Sequence, residues 1–184
     1  MRLSPQALIS RHLLTLQTSL NRCVIRPYSD GDFDDYAVTL LETWPCESIT
    51  EARGNVAMAV KKVKQNENEE LWVAEAEGRA VGFMLLEFTK IWGHAGEESK
   101  EASLCIDWFD VHPDFQGKGT GRELLQRAEN RGRARKCKLL FMHTSVRNLA
   151  LINFASRNGF RFDKYLKDFW GEGTGDAFLL TKPL

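Results

Sequence analysis

Apolar residues recur along this chain in two periods, and the switch between them marks its elements. Ile9, Leu13, Leu16 and Leu20 form a helical stripe that Ser4 caps and Pro5 opens. Val24 to Arg26 is a short β-prone run. Asp30-Gly31-Asp32 caps a helix to about Thr43, with Phe33, Tyr36, Ala37, Leu40 and Leu41 inward, and Trp44-Pro45 breaks it. A second helix runs from about Ile49 to Gln65 on Val56, Ala59, Val60 and Val63, before a polar loop from Asn66 to Glu70.

Leu71 to Ala76 and Arg79 to Phe88 then alternate as a hairpin around Glu77-Gly78. The second strand is apolar on both faces, as a central strand is. A polar loop over Ile91 to Lys100 leads into a strand from Ala102 to Val111. Next come a helix from Gly119 to about Arg135, a strand from Lys138 to Thr144 and a helix from Leu149 to Arg157 that Asn158-Gly159 stops. Arg161 to Trp170 and Ala177 to Thr181 read as the last strands, around a glycine-rich turn. The order β-αα-β-β-β-α-β-α-β-β predicts one α/β domain over 23–184: a central mixed sheet of about seven strands with helices on both faces. The extra helix over 1–22 packs on this domain or on a second subunit of a homodimer. Residues 1–29 hold four arginines and no acid, a composition that also suits a transit peptide.

A chain of 184 residues with 43% hydrophobic content can bury one sizeable core. Its apolar runs are too short to span a membrane. Lys+Arg and Asp+Glu are both 25, so global charge gives no argument for nucleic acid. The balance hides an asymmetry: residues 67–114 hold twelve acids and three bases, and residues 116–167 thirteen bases and three acids. The basic block suits a polyanionic cofactor and the acidic block a cationic acceptor, or the two are solvated faces that offset each other. Cys23, Cys46, Cys105 and Cys137 have no paired spacing, which predicts reduced thiols and a cytoplasmic protein. The four histidines are scattered, so no metal site is predicted.

One stretch concentrates the chemistry. After Ile106, Trp108, Phe109 and Val111, His112-Pro113-Asp114 stops the strand, and Gln116-Gly117-Lys118-Gly119-Thr120-Gly121 leads into a helix. Glycines before a helix start let the backbone approach a ligand where unpaired N–H groups and the positive dipole end meet, an arrangement that holds phosphate. Gly117-Lys118 lacks the Ser or Thr of a Walker loop. The glycines are spaced two and two, unlike a dinucleotide fingerprint, and no acid closes the next strand.

Gln116, Gly119 and Gly121 match Gln-x-x-Gly-x-Gly after Val111-His112-Pro113. With Val24-Ile25-Arg26-Pro27, the hairpin Gly78 to Phe83, Asn148 and Asn158-Gly159-Phe160, this resembles the GNAT superfamily of N-acetyltransferases over residues 23 to 182. The resemblance implies acetyl-CoA as cosubstrate and a primary amine acceptor, a small molecule or a peptide, attacking directly without a protein nucleophile. It implies that Gln116, Gly117, Lys118, Gly119, Thr120, Gly121 and Arg122 hold the pyrophosphate. Phe109 and Val111 would pair with the pantetheine arm where the two strands splay at a bulge, and the Val111 N–H would face the oxyanion. Asn148 belongs to the same cofactor set.

For the proton acceptor, His143 at the end of its strand competes with Asp107 and Asp110. The packed strand-end histidine and the acceptor-binding carboxylate are the other readings of these residues. The family's acid, a Tyr seven residues after the motif Asn, falls here on Ala155 between Phe154 and Ser156. Tyr165 is the candidate replacement, with water the alternative. Trp44, Pro45 and Glu47 would border the acceptor pocket, with core packing the other reading of Trp44; Phe169 and Trp170 would grip a peptide or fill core, and Trp92 and His94 would lie over the pocket or at the surface. The missing Tyr also leaves open a CoA-binding regulatory or structural domain without turnover.

Overall fold

The computed structural model describes residues 23–91, 98–173 and 175–184. The helix expected over 1–22, with Trp92 and His94, lies outside them. The strands are β1 (Val24–Pro27), β2 (Glu69–Ala76), β3 (Arg79–Ile91), β4 (Glu98–Val111), β5 (Leu139–Ser145), β6 (Arg161–Leu166) and β7 (Ala177–Pro183). The helices are α1 (Phe33–Thr43), α2 (Ile49–Gln65), α3 (Thr120–Ala134) and α4 (Leu149–Arg157). They build one seven-stranded sheet in the order β1-β2-β3-β4-β5-β7-β6. Only β4 and β5 run parallel; every other neighbouring pair is antiparallel. Among the described residues no helix is long and apolar enough to cross a membrane.

Alternation along the strands sends side chains to two separate cores. Leu71, Val73, Phe83 and Leu85 meet Tyr36, Leu40, Ala52 and Val56 of α1 and α2 on one face. Ala74, Met84, Leu86, Leu104 and Ile106 meet Leu124, Leu125 and Ala128 of α3 and Ala155 of α4 on the other. Gly82 brings α3 close: a Cβ there would lie 3.1 Å from Leu124 Cδ1 and 3.3 Å from Thr120 Cγ2. Ser48 starts α2 by accepting the Glu51 N–H at 3.2 Å.

Three boundaries differ from the sequence reading. Glu69 and Glu70 belong to β2, paired with Glu87 and Leu86, where a polar loop was expected. Of the loop expected over 91–100, the described residues 91 and 98–100 belong to β3 and β4, because backbone pairing continues to Ile91↔Glu98 whatever the polarity of the side chains. β6 stops at Leu166 rather than Trp170: Asp168 adopts a left-handed backbone (φ 47) and turns the chain, so Phe169 and Trp170 lie in a turn. The stop at Asn158-Gly159 is as expected, with Gly159 at φ 87.

Candidate active site

The glycine loop presents a run of backbone donors. A single 3-10 turn (Pro113–Phe115) reverses the chain after β4. Gln116 Nε2 donates to the Val111 carbonyl at 2.9 Å, and Thr120 Oγ1 donates to the Phe115 carbonyl at 3.2 Å. Gly117 and Gly119 sit at φ 71 and φ 97, which a side chain would resist, although no neighbour crowds either position. Among the described residues, the N–H groups of Gly117, Lys118, Gly119, Thr120 and Gly121 donate to no carbonyl. They gather where the dipole of α3 is positive, a setting for an anion. The Lys118 ammonium lies 5.1 Å from the Phe115 ring centre, and Arg122 is exposed on the first turn.

Next to this nest the sheet opens. The last β4–β5 pair is Ile106↔Met142, and beyond it the strands part. The β3–β4 register slips there as well, from Leu85↔Trp108 to Leu86↔Ile106, leaving Asp107 as the bulged residue. The His112 N–H bonds the Val81 carbonyl at 2.9 Å. Because bonded and non-bonded pairs alternate in an antiparallel ladder, Asp110 and Trp108 use their backbone groups on β3. Phe109 and Val111 therefore turn theirs toward the gap left by β5, with the Val111 carbonyl taken by Gln116. The Phe109 ring packs on Phe154 of α4 at 5.4 Å, and both approach Gly121.

On the face of α1 and α2, Asp110 is buried beside this gap. Its Oδ1 accepts from Trp44 Nε1 at 2.8 Å and Thr43 Oγ1 at 3.1 Å, while Oδ2 has no partner among the described residues. Burial pushes the carboxyl up to about 6, and the two hydrogen bonds restrain it from going further. Trp44 packs on Trp108 at 4.8 Å, and Tyr36 stacks on Phe83 below them at 4.0 Å. Asp107 points elsewhere, to Lys62 Nζ at 2.9 Å.

His143 follows Met142 on β5, so it flanks the gap opposite the bulge. Its ring stacks on Phe169 at 4.3 Å, and Trp170 meets Phe169 edge-on at 5.1 Å. The turn after β6 thus carries both aromatics to the β5 edge. Asn148 caps α4, with Oδ1 accepting the Leu151 N–H at 3.0 Å. Tyr165 is exposed and donates its hydroxyl to Asp176 Oδ2 at 2.5 Å, which raises its pKa. Ala155 faces the α3–α4 core and is fully buried.

The geometry thus brings together the glycine loop, Phe109 and Val111, and it sets His143 and Asp110 beside the gap. It holds the Tyr165 hydroxyl on Asp176. Sequence reasoning missed Lys62, the partner of Asp107, and Glu69 and Glu87, which share its ammonium. They come from α2, β2 and β3, and only the strand register puts Glu69 opposite Glu87.

Residues 32–160 match the model of the acetyltransferase (GNAT) family. The chain belongs to that family. It is 30% identical over 97 residues to the spermine/spermidine N(1)-acetyltransferase of Bacillus subtilis, a match covering 52% of this chain. The chain spans about three fifths (61%) of the length of that relative. Among solved structures, a GNAT acetyltransferase from Elizabethkingia anophelis with acetyl-CoA bound superposes with a TM-score of 0.64 at 20% identity, covering 89% of this chain and 99% of that one. Arabidopsis thaliana Naa50 in complex with a bisubstrate analogue superposes with a TM-score of 0.64 at 16% identity, covering 88% of this chain and 99% of that one.

Proposed function

We propose that this chain moves an acetyl group from acetyl-CoA to a primary amine by direct attack within a ternary complex. The observation that carries this reading is the adjacency of two sets of backbone groups: the N–H groups of Gly117 to Gly121, and the edge of β4 at Phe109 and Val111, where, among the described residues, only the Val111 carbonyl is taken, by Gln116. The first set suits a diphosphate. The second suits an amide-bearing arm laid along the strand, and a free N–H there would stabilise the developing oxyanion. Holding donor and acceptor together supplies much of the rate without a covalent step.

The amine must lose a proton to react. Asp110 is the favoured acceptor for it, directly or through a water, because a carboxylate that titrates near 6 is mostly ionised at neutral pH yet basic enough to be useful. His143 across the gap is its rival. The thiolate takes its proton from Tyr165, once released from Asp176, or from water. The acidic lining of the α1–α2 face and the likeness to a spermine/spermidine acetyltransferase both support a cationic small amine. The likeness to Naa50, solved with a bisubstrate analogue, supports a peptide amine.

Thiol release from acetyl-CoA against a panel of monoamines, polyamines and peptides tests this, with CoA titration as the binding control. Release with at least one amine is expected. CoA binding without release under every acceptor would favour a regulatory CoA-binding domain, a reading that the alanine at position 155 supports. No CoA binding by the native protein would end both.

A further inference from the structure

Three carboxylates converge on one ammonium at the α2 end of the bulge. Lys62 Nζ lies 2.9 Å from Asp107 Oδ2, 3.3 Å from Glu87 Oε2 and 3.6 Å from Glu69 Oε1. The arrangement carries a net charge of about −2 when all are ionised. Burial alone would favour a neutral lysine, but Asp107, Glu87 and Glu69 outweigh it and hold Lys62 protonated. Glu69 is the deepest member: its side chain is 3% exposed, and burial pushes its carboxyl up against the pull of Lys62 and Asn66. Asn66 Nδ2 donates to its Oε1 at 3.0 Å, but its buried Oε2 meets no donor among the described residues.

A lone ion pair tying α2 to the sheet needs one carboxylate, not three, and a buried carboxylate oxygen without a donor costs stability. The set has the charge and the unused acceptor for one more cation. Lys62, with a side chain 41% exposed on a long flexible stem, can yield its place. Asp107 is also the bulged residue, one position beyond the last β4–β5 pair, so the cluster adjoins the gap.

Building on the acetyl-transfer reading, we propose that the Glu69, Glu87 and Asp107 carboxylates bind the second ammonium of a diamine or polyamine acceptor, with Lys62 holding the site until that cation displaces it. The first amine of the same molecule then lies toward Asp110 and the gap.

The test compares 1,4-diaminobutane with butylamine in wild type, Glu87→Gln and Lys62→Met. Wild type favours the diamine in kcat/KM, and Glu87→Gln lowers that preference at least tenfold. Lys62→Met keeps or raises it, since the competing cation is gone. An unchanged preference in folded Glu87→Gln, or its loss in folded Lys62→Met, overturns the proposal and leaves acetyl transfer standing. If neither amine is acetylated, the transfer reading rests on the wider acceptor panel, and calorimetry decides this inference. Diamine heat that disappears in Glu87→Gln sustains the cation site; no heat in wild type overturns it. Thermal melts of each variant show which are folded.

Discussion

The Trp44 indole donates a 2.8 Å hydrogen bond to Asp110 Oδ1, linking the break after α1 to the cleft end of β4. The bond stabilises the ionised carboxylate, so it opposes the burial that raises this group to about 6. Trp44→Phe keeps the ring on Trp108 and removes the donor. A hydrogen bond to a charged group, worth about 1.5–3 kcal/mol, corresponds to roughly one to two pH units. If Asp110 takes the proton, the acid limb of kcat/KM in Trp44→Phe moves to higher pH by about that much, as a pH–rate profile with the best amine would read. An unmoved limb would remove Asp110 from the proton path. His143→Gln should then be the variant that reshapes the profile.

The same carboxyl makes a stability prediction. The folded protein holds the Asp110 proton up to about pH 6, whereas an unfolded chain releases it near pH 3.9. Between those values the folded state binds more protons, so stability falls as pH rises, and the penalty is complete above about 6. A shift of about two units is worth roughly 2–3 kcal/mol. Asp110→Asn removes this loss. Urea melts at pH 4.5 and 7.5 should show the variant gaining on wild type at the higher pH. An equal difference at both would mean that Asp110 does not titrate in that window.

The fold was legible because both periods were clean in the sequence: α1, α2, α3 and α4 stand within about a turn of their expected bounds. The glycine loop was legible because its chemistry is local, a stopped strand followed by a helix start. Strand ends were less so. β4 begins at Glu98 through backbone pairing that side chains do not announce, and β6 ends at the backbone of Asp168. The Lys62 cluster was hidden altogether. Asp107 stands out in the sequence only as a candidate base or acceptor contact, and Lys62, Glu69 and Glu87 read as ordinary solvated charges until α2 is laid over the register of β2, β3 and β4.

Gly119 and Gly121 should respond in opposite ways to alanine. Gly119 caps α3 at φ 97, where a Cβ meets no neighbour but the backbone itself is unfavourable. Gly119→Ala therefore costs about 1–2 kcal/mol or shifts the loop. Gly121 lies inside the helix, and its added Cβ would stand 3.4 Å from Phe154 and 3.6 Å from Phe109, ordinary contact. Gly121→Ala should hold or raise stability, by up to about 1 kcal/mol. If the loop donors bind diphosphate, CoA titration shows a large loss for Gly119→Ala and a small one for Gly121→Ala. Equal losses would mean that the φ of Gly119 is not what shapes the site.

Restoring the family's tyrosine at position 155 should fail. Ala155 has no exposed surface and packs in the core with Leu124, Leu125 and Phe160, while its neighbour Phe154 is the α4 ring that reaches Phe109. A phenol at 155 would enter a filled core rather than the gap, at a cost of about 3 kcal/mol or more. Its hydroxyl would also need a buried partner. Ala155→Tyr should melt well below wild type and show no gain in kcat at temperatures where it stays folded. A stable Ala155→Tyr with raised kcat would mean that α4 can turn position 155 toward the sulfur, and that this chain lacks only the acid.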